Sequence, residues 1–176
     1  GLDPIYNIKT IIYSIKILVE KKVRLKCIFA YGFGDKYYES LNKIVKNLNL
    51  EDYIIWLGNI DSYKMATIYN ASDIVISIPN SDSSPASVYE AMFCGKPIII
   101  SDLEWSYELI NDLDCVCRVD VGNADQLSNS IIKIITDTNF ADNITKNSLE
   151  VARDNFDYES NMIKMEKIML DIIKSE

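Results

Sequence analysis

Short apolar runs alternate along the chain with stretches in which apolar residues recur every three or four positions. The first pattern is typical of buried strands and the second of amphipathic helices. Strands are predicted over residues 25–31, 53–57, 73–78, 97–101 and 115–119. Helices are predicted from residue 8 onward and over residues 36–47, 62–69, 85–94, 104–111, 125–136, 141–153 and 158–173.

This order of elements predicts the fold class. Short strands that are each followed by a helix are typical of a parallel sheet with helices on both faces. The strands are continuously apolar, as expected for strands buried on both faces. We therefore expect an α/β fold with a doubly wound, Rossmann-like parallel sheet. The chain has no internal repeat or long linker, so residues 1–176 are interpreted as a single domain.

Composition excludes several classes of function. The chain has 18 Lys and Arg against 26 Asp and Glu, a net charge of −8, which argues against a nucleic-acid partner. It has no His, so mechanisms that require His are excluded. No apolar run reaches the roughly 20 residues of a membrane-spanning helix. The four cysteines suit buried apolar positions and are interpreted as core thiols.

The segment 77–90 is the most informative for function, because it joins a strand end, a polar loop and a well-specified helix start. Ser84 is predicted as the N-cap and Pro85 as the first helical residue. Free N–H groups at such a helix start are suited to binding phosphate. Glu90, about 7.5 Å further along the axis, is suited to accepting hydrogen bonds from a ribose. The alternative is that Ser84 only caps the helix and Glu90 is solvated.

The stretch over residues 82–102, in which Asp82 is followed by SSPASVYEAMFCGKPIIISD, resembles the signature of the family-4 retaining glycosyltransferases. In that signature an acidic residue, seven further residues and a Glu precede Ala-Met-x-x-Gly-x-Pro, and Asp82 and Glu90 are the acidic pair here. The flanking pieces LDPIYNIKTIIYSI, IFAYGFGDKYYESL, YIIWLGNID and NASDIVISIPNSD agree in order. The resemblance covers essentially the whole chain and matches the C-terminal, donor-binding half of the two-domain GT-B fold.

The resemblance implies a role for each matching position. Glu90 would bind the ribose of a UDP- or GDP-linked sugar donor, and Asp82 would face the donor sugar as the candidate catalytic residue. Backbone N–H groups at the helix start would reach the diphosphate, two glycines would let a loop approach it, and Ile60 would line the base pocket. The residues given a donor-binding role are Gly32, Gly34, Ile60, Ser83, Ser84, Pro85, Ala86, Ser87, Val88 and Glu90.

The resemblance also implies what surrounds this half. It predicts no metal and no cofactor beyond the donor, an N-terminal acceptor-binding domain in the same full-length protein, and a cytoplasmic location with peripheral membrane contact through that domain. Family members place a Lys where this chain has Tyr6 and an Arg just ahead of the segment that starts here, and the two clamp the diphosphate. We therefore expect weak donor binding by this chain alone.

Two interpretations stay open beside the enzyme hypothesis. The chain is alternatively a non-catalytic α/β module that binds a nucleotide or a protein partner. On the last predicted helix, apolar residues follow a spacing of three and four from Tyr158 to Ile172, and we expect this stripe to pack against the domain. The alternative is that it docks the absent N-terminal domain. Trp105, just after a strand end, is expected in the core rather than on a ligand.

Overall fold

The computed structural model describes residues 1–32, 36–110 and 114–175. Within these ranges the strands are β1 (Cys27–Ala30), β2 (Ile54–Gly58), β3 (Val75–Ser77), β4 (Ile98–Ser101) and β5 (Cys117–Val119). The α-helices are α1 (Ile8–Glu20), α2 (Tyr38–Asn47), α3 (Ser62–Ala71), α4 (Ala86–Phe93), α5 (Glu104–Leu109), α6 (Ala124–Thr136), α7 (Thr138–Phe156) and α8 (Tyr158–Ser175). Short 3₁₀ helices cover Pro4–Tyr6 and Glu51–Tyr53.

All the strand pairs are parallel, as predicted. β1 pairs with β2, and β4 pairs with β3 on one side and β5 on the other. In the part of the chain that the structure describes, no ladder joins β1 to β3. The strands therefore form a two-stranded and a three-stranded parallel sheet, a division that the sequence pattern does not predict.

Two apolar clusters lie on opposite faces of β4. Ile99 belongs to the first cluster, which α1, α2 and α6 complete, and Ile98 and Ile100 belong to the second, which α4 and α5 complete. Because successive side chains of a strand point to opposite faces, β4 is buried on both. The α/β fold with helices on both faces is confirmed. Trp105 is buried in the second cluster, which confirms its interpretation as a core residue.

Continuous apolarity does not mean two-sided burial in every strand. Ile28 of β1 and Ile55 and Leu57 of β2 are exposed, although each lies in an apolar run. Their backbone is paired within the two-stranded sheet, while that face of the sheet leaves their side chains open to solvent. The prediction of burial on both faces is correct for β4 and wrong for β1 and β2.

Element bounds differ from the predicted ones mainly at the ends. β1, β3, β4 and β5 are shorter than predicted, because one or more residues at the ends of each apolar run lie outside the ladders, whereas β2 keeps its predicted length and lies one residue later in the chain. α7 begins three residues earlier than predicted, since the Asp137 carboxylate accepts a hydrogen bond from the Phe140 N–H at 2.9 Å and caps the helix.

The apolar stripe of α8 does not pack against the domain as expected. Its predicted members are all exposed: Tyr158, Met162, Met165, Met169 and Ile172. The neighbouring Ile163, Ile168, Leu170 and Ile173 are also exposed. α8 therefore presents a broad apolar surface to solvent. None of the helices in the described ranges is both long and apolar enough to cross a bilayer.

Candidate functional site

The loop between β3 and α4 holds the residues of the acidic signature. α4 begins at Ala86, with Pro85 as its N-cap at φ −74° and ψ 105°. The prediction that Ser84 caps the helix is wrong. The Ser84 hydroxyl lies 3.3 Å from the Tyr89 hydroxyl instead of on a helix N–H.

Asp82 organises this loop through its carboxylate. Its Oδ1 atom accepts hydrogen bonds from the N–H groups of Ser83, at 2.7 Å, and Ser84, at 3.2 Å. The side chain is half-buried. The carboxylate therefore fixes the loop conformation through one oxygen, Oδ1. The N–H groups of Ser83 and Ser84 are already used.

The start of α4 leaves two backbone donors open. The Val88 N–H donates to the Pro85 carbonyl at 2.9 Å, and Pro85 has no N–H. Within the described ranges, the N–H groups of Ala86 and Ser87 have no acceptor, and both residues are exposed. A prolyl N-cap explains this, since it has no side-chain oxygen with which to satisfy them. Two N–H groups at the positive end of the helix dipole therefore face solvent.

Glu90 lies just over one turn further along α4 and is held by α3. The Tyr69 hydroxyl donates to Glu90 Oε2 at 2.9 Å. Tyr69 is only 7% exposed, and burial, followed by this hydrogen bond, raises the pKa of its hydroxyl, which stays a donor at neutral pH. Glu90 is exposed, and among the described residues no hydrogen bond to its Oε1 atom is found.

Tyr69 is a functional candidate that sequence reasoning missed. It occupies an apolar position of α3, where a tyrosine is interpreted as a core residue. The available signal was its hydroxyl, because a buried tyrosine hydroxyl normally finds a polar partner. The partner lies 21 residues away on another helix, and sequence spacing does not indicate it.

The remaining predicted positions lie at the carboxyl ends of the other strands. Gly32 follows β1, and a Cβ placed on it would meet no atom within 4 Å. Ile60 follows β2 and is half-buried. The hydrogen bond from the Tyr31 N–H to the Gly58 carbonyl, at 3.0 Å, holds these two strand ends together. Gly34 lies outside the described residues.

The first residues of the chain also reach this edge. The Asn80 N–H donates to the Ile5 carbonyl at 2.6 Å, and its side-chain amide donates to the Pro4 carbonyl at 3.2 Å. Tyr6, at the position where the family has a Lys, is therefore close in the chain to the residues that contact the β3–α4 loop, and it is exposed. Residues 78–90 contain no Lys or Arg.

The chain belongs to the family described as Glycosyl transferases group 1, whose sequence model matches residues 2–151. This confirms the resemblance that the acidic signature indicated. Among curated proteins, the chain is similar to the N-acetyl-alpha-D-glucosaminyl L-malate synthase of Bacillus anthracis, with 26% identity over 161 residues. The match covers 92% of this chain and 41% of that protein.

Two solved structures show the same fold. The sucrose-phosphate synthase of Thermosynechococcus elongatus matches with a TM-score of 0.88 and 20% identity, over 99% of this chain and 44% of that one. Anabaena HepE, in complex with UDP-glucose, matches with a TM-score of 0.84 and 21% identity, over 99% of this chain and 46% of that one. The chain thus spans less than half the length of each of these proteins.

Proposed function

We propose that this chain binds a nucleotide-sugar donor as one part of a retaining glycosyltransferase, which transfers a sugar from a nucleoside diphosphate to a glycan, lipid or sugar acceptor. The observation that carries the proposal is the geometry of α4. The open N–H groups of Ala86 and Ser87 and the restrained carboxylate of Glu90 share one helix end. No described feature favours the alternative of a non-catalytic module.

The helix start supplies the diphosphate site. Two N–H groups at a helix N-terminus donate to phosphate oxygens, and the dipole adds about 0.3–1 kcal/mol. The N–H groups of Ser83 and Ser84 are engaged with Asp82, so the donors reduce to Ala86 and Ser87. Pro85 and Val88 lie beneath these two N–H groups and orient the first turn of α4.

Glu90 supplies the ribose site. A carboxylate at this distance from the diphosphate accepts hydrogen bonds from two vicinal hydroxyls, and Tyr69 holds it in place before the ligand arrives. The Asp82 carboxylate would face the donor sugar on the other side of the helix start. Gly32 and Gly34 let the loop after β1 approach the phosphates, and Ile60 lines the base pocket.

The nucleotide is proposed to carry a uracil base, with guanine as the alternative. The support is that HepE, which shares the fold, was solved with UDP-glucose and with UDP. Because residues 78–90 contain no cation and Tyr6 replaces the expected Lys, the described residues at the start of α4 offer the phosphate only the helix dipole and N–H groups. Donor binding by residues 1–176 alone is therefore expected to be weak.

A second domain is proposed to complete the enzyme. Residues 1–176 would form the donor-binding domain, and an N-terminal domain of the same full-length protein would bind the acceptor. The exposed apolar surface of α8 and the coverage of 41–46% of the relatives support this proposal. A cytoplasmic location with peripheral membrane contact through the N-terminal domain stays a prediction of the family resemblance.

Titration calorimetry of the full-length protein tests the donor site. The probes are UDP, UDP-glucose, GDP and GDP-mannose. We expect the protein to bind either the two uridine nucleotides or the two guanosine nucleotides. Glu90→Gln should weaken that binding at least tenfold, since the amide replaces an ionised acceptor. Glu51→Gln is the matched control, because Glu51 is exposed in the 3₁₀ helix at the amino end of β2, opposite the site. Equal affinities for the two variants would contradict the assignment of Glu90.

A further inference from the structure

The loop that carries Asp82, residues 79–85, is called the acidic loop and begins and ends at buried prolines. Pro79 and Pro85 are buried, and the residues between them are exposed except for Asp82, which is half-buried. β3 ends at Ser77, so Pro79 already lies beyond the ladder that joins β3 to β4. The acidic loop therefore needs contacts other than strand pairing to hold its position.

Ser101, the last residue of β4, supplies one such contact. Its hydroxyl donates a hydrogen bond to the Pro79 carbonyl at 2.6 Å. Pro79 has no N–H, so this carbonyl is the one backbone group through which a hydrogen bond can hold it. The bond joins the carboxyl end of β4, the central strand of the three-stranded sheet, to the first residue of the acidic loop.

The burial of Ser101 indicates that its hydroxyl has this role. Ser101 is 0% exposed and follows three buried isoleucines, Ile98, Ile99 and Ile100. Positions of this kind normally hold apolar residues, because a buried hydroxyl is costly unless it has a hydrogen-bond partner. The partner found for it within the described ranges is the Pro79 carbonyl. A serine at this position is therefore explained by its bond to the acidic loop rather than by packing.

Asn80 adds a second restraint at the same end of the acidic loop. Its N–H donates to the Ile5 carbonyl at 2.6 Å, and its side-chain amide donates to the Pro4 carbonyl at 3.2 Å. Pro4 and Ile5 are themselves exposed, in a short 3₁₀ helix. Ser101 is accordingly the contact that joins this end of the loop to a buried strand.

We propose that Ser101 is a positioning residue for the sugar half of the donor. By holding Pro79 against β4, its hydroxyl keeps the acidic loop in the conformation in which the Asp82 carboxylate faces the donor sugar. The diphosphate depends less on this bond, since the N–H groups of Ala86 and Ser87 belong to α4, which follows the buried Pro85. This inference rests on the proposed function, in which Asp82 faces the sugar.

Amide hydrogen exchange of the full-length protein measures the restraint without a ligand. Ser101→Ala deletes the hydroxyl, and exchange of the Asn80 N–H, next to Pro79, is expected to become about tenfold faster because the acidic loop opens more often. Ser14→Ala is the matched control, since Ser14 is also 0% exposed and its hydroxyl donates to the Ile11 carbonyl at 2.8 Å within α1. The control should leave Asn80 at the wild-type rate. An unchanged rate in Ser101→Ala, or an equal increase in both variants, would overturn the inference.

Titration calorimetry of the same full-length variants measures the effect on the donor. The probes are a free nucleotide and its hexose conjugate, UDP with UDP-glucose or GDP with GDP-mannose, whichever pair the wild type binds. Ser101→Ala should raise the Kd of the hexose conjugate about fivefold, as expected for one lost hydrogen bond, and leave the Kd of the free nucleotide within about twofold of wild type. Ser14→Ala should change neither Kd. Retained binding of the free nucleotide also shows that Ser101→Ala is folded.

The outcomes of this titration separate the role of Ser101 from the proposed function. If the wild type binds neither pair of probes, the proposed function is wrong and the role of Ser101 is wrong with it. If Ser101→Ala weakens the free nucleotide as much as its hexose conjugate, the hydroxyl supports the whole site rather than the sugar half, and only the role of Ser101 is wrong. A wild-type Kd for the hexose conjugate in Ser101→Ala would likewise overturn that role alone.

Discussion

Removing the Tyr69 hydroxyl is expected to weaken nucleotide binding while leaving the fold intact. Tyr69→Phe keeps the ring in the second apolar cluster and deletes only the hydrogen bond to Glu90 Oε2. Glu90 touches the proposed ribose site, and Tyr69 acts through it as a positioning residue. The variant therefore tests preorganisation of the carboxylate rather than direct contact with the ligand.

Breaking this hydrogen bond is expected to change both the free energy of unfolding and the Kd for the nucleotide. A hydrogen bond to a charged group is worth about 1.5–3 kcal/mol, but Glu90 is exposed and regains water, so the free energy of unfolding should fall by only about 1 kcal/mol. Free of its partner, the Glu90 side chain regains rotamers that nucleotide binding must immobilise again. Immobilising them costs about 1 kcal/mol, which corresponds to about fivefold in Kd.

Calorimetric titration of the full-length protein with UDP and GDP measures the change in Kd. Tyr89→Phe is the matched control, because its hydroxyl contacts Ser84 rather than Glu90 and its ring stacks on Phe156. The nucleotide that binds the wild type more tightly should lose about fivefold in affinity with Tyr69→Phe. An unchanged Kd, with Glu90→Gln still impaired, would show that Glu90 needs no restraint from Tyr69 and would refute this reasoning.

Three further predictions concern backbone conformation and titration. Gly58→Ala should lower the free energy of unfolding by about 1 kcal/mol in chemical denaturation, because Gly58 has φ +68°. Gly32→Ala should leave the free energy of unfolding unchanged, because a Cβ there meets no atom within 4 Å, but it should weaken nucleotide binding in the calorimetric titration. Burial raises the pKa of the Cys27 thiol to about 12, so iodoacetamide at pH 8 should alkylate it about a thousandfold more slowly than an ordinary thiol. Peptide mapping by mass spectrometry distinguishes Cys27 from the three other free cysteines, and labelling of Cys27 in the native protein at the ordinary rate would contradict this. Burial also raises the pKa of Tyr69 above 10.0, so the contribution of this hydroxyl to the free energy of unfolding is complete below pH 10 and is lost as the pH rises further. The decrease in the free energy of unfolding between about pH 10 and 11 should therefore be smaller in Tyr69→Phe than in the wild type. An equal decrease in the two proteins would refute the assignment.

The parts of the fold that sequence reasoning predicted are those determined by local pattern. The start of α1 at Ile8 follows the spacing of apolar residues, and the end of α4 follows from Gly95, which adopts φ +61° just past the helix. The acidic signature indicated the family, because Asp82 and Glu90 stand at a fixed spacing ahead of a glycine and a proline. These features depend on residues close together in the chain.

The features that sequence reasoning missed depend on residues far apart or on competition between neighbours. The hydrogen bond from Tyr69 to Glu90 joins two helices, and no spacing rule connects them. The N-cap was misassigned because the Ser84 hydroxyl turns toward Tyr89 instead of a helix N–H, in a loop that the Asp82 carboxylate fixes through the Ser84 N–H. The division of the strands into two sheets is likewise a tertiary property, since apolar strands have the same pattern whether or not a neighbour pairs with them.

A crystal structure of the full-length protein with UDP-glucose bound tests the central claim most directly. The account predicts that diphosphate oxygens lie within hydrogen-bonding distance of the N–H groups of Ala86 and Ser87, and that ribose hydroxyls donate to Glu90. A nucleotide bound elsewhere, with the start of α4 open to solvent, would contradict the account.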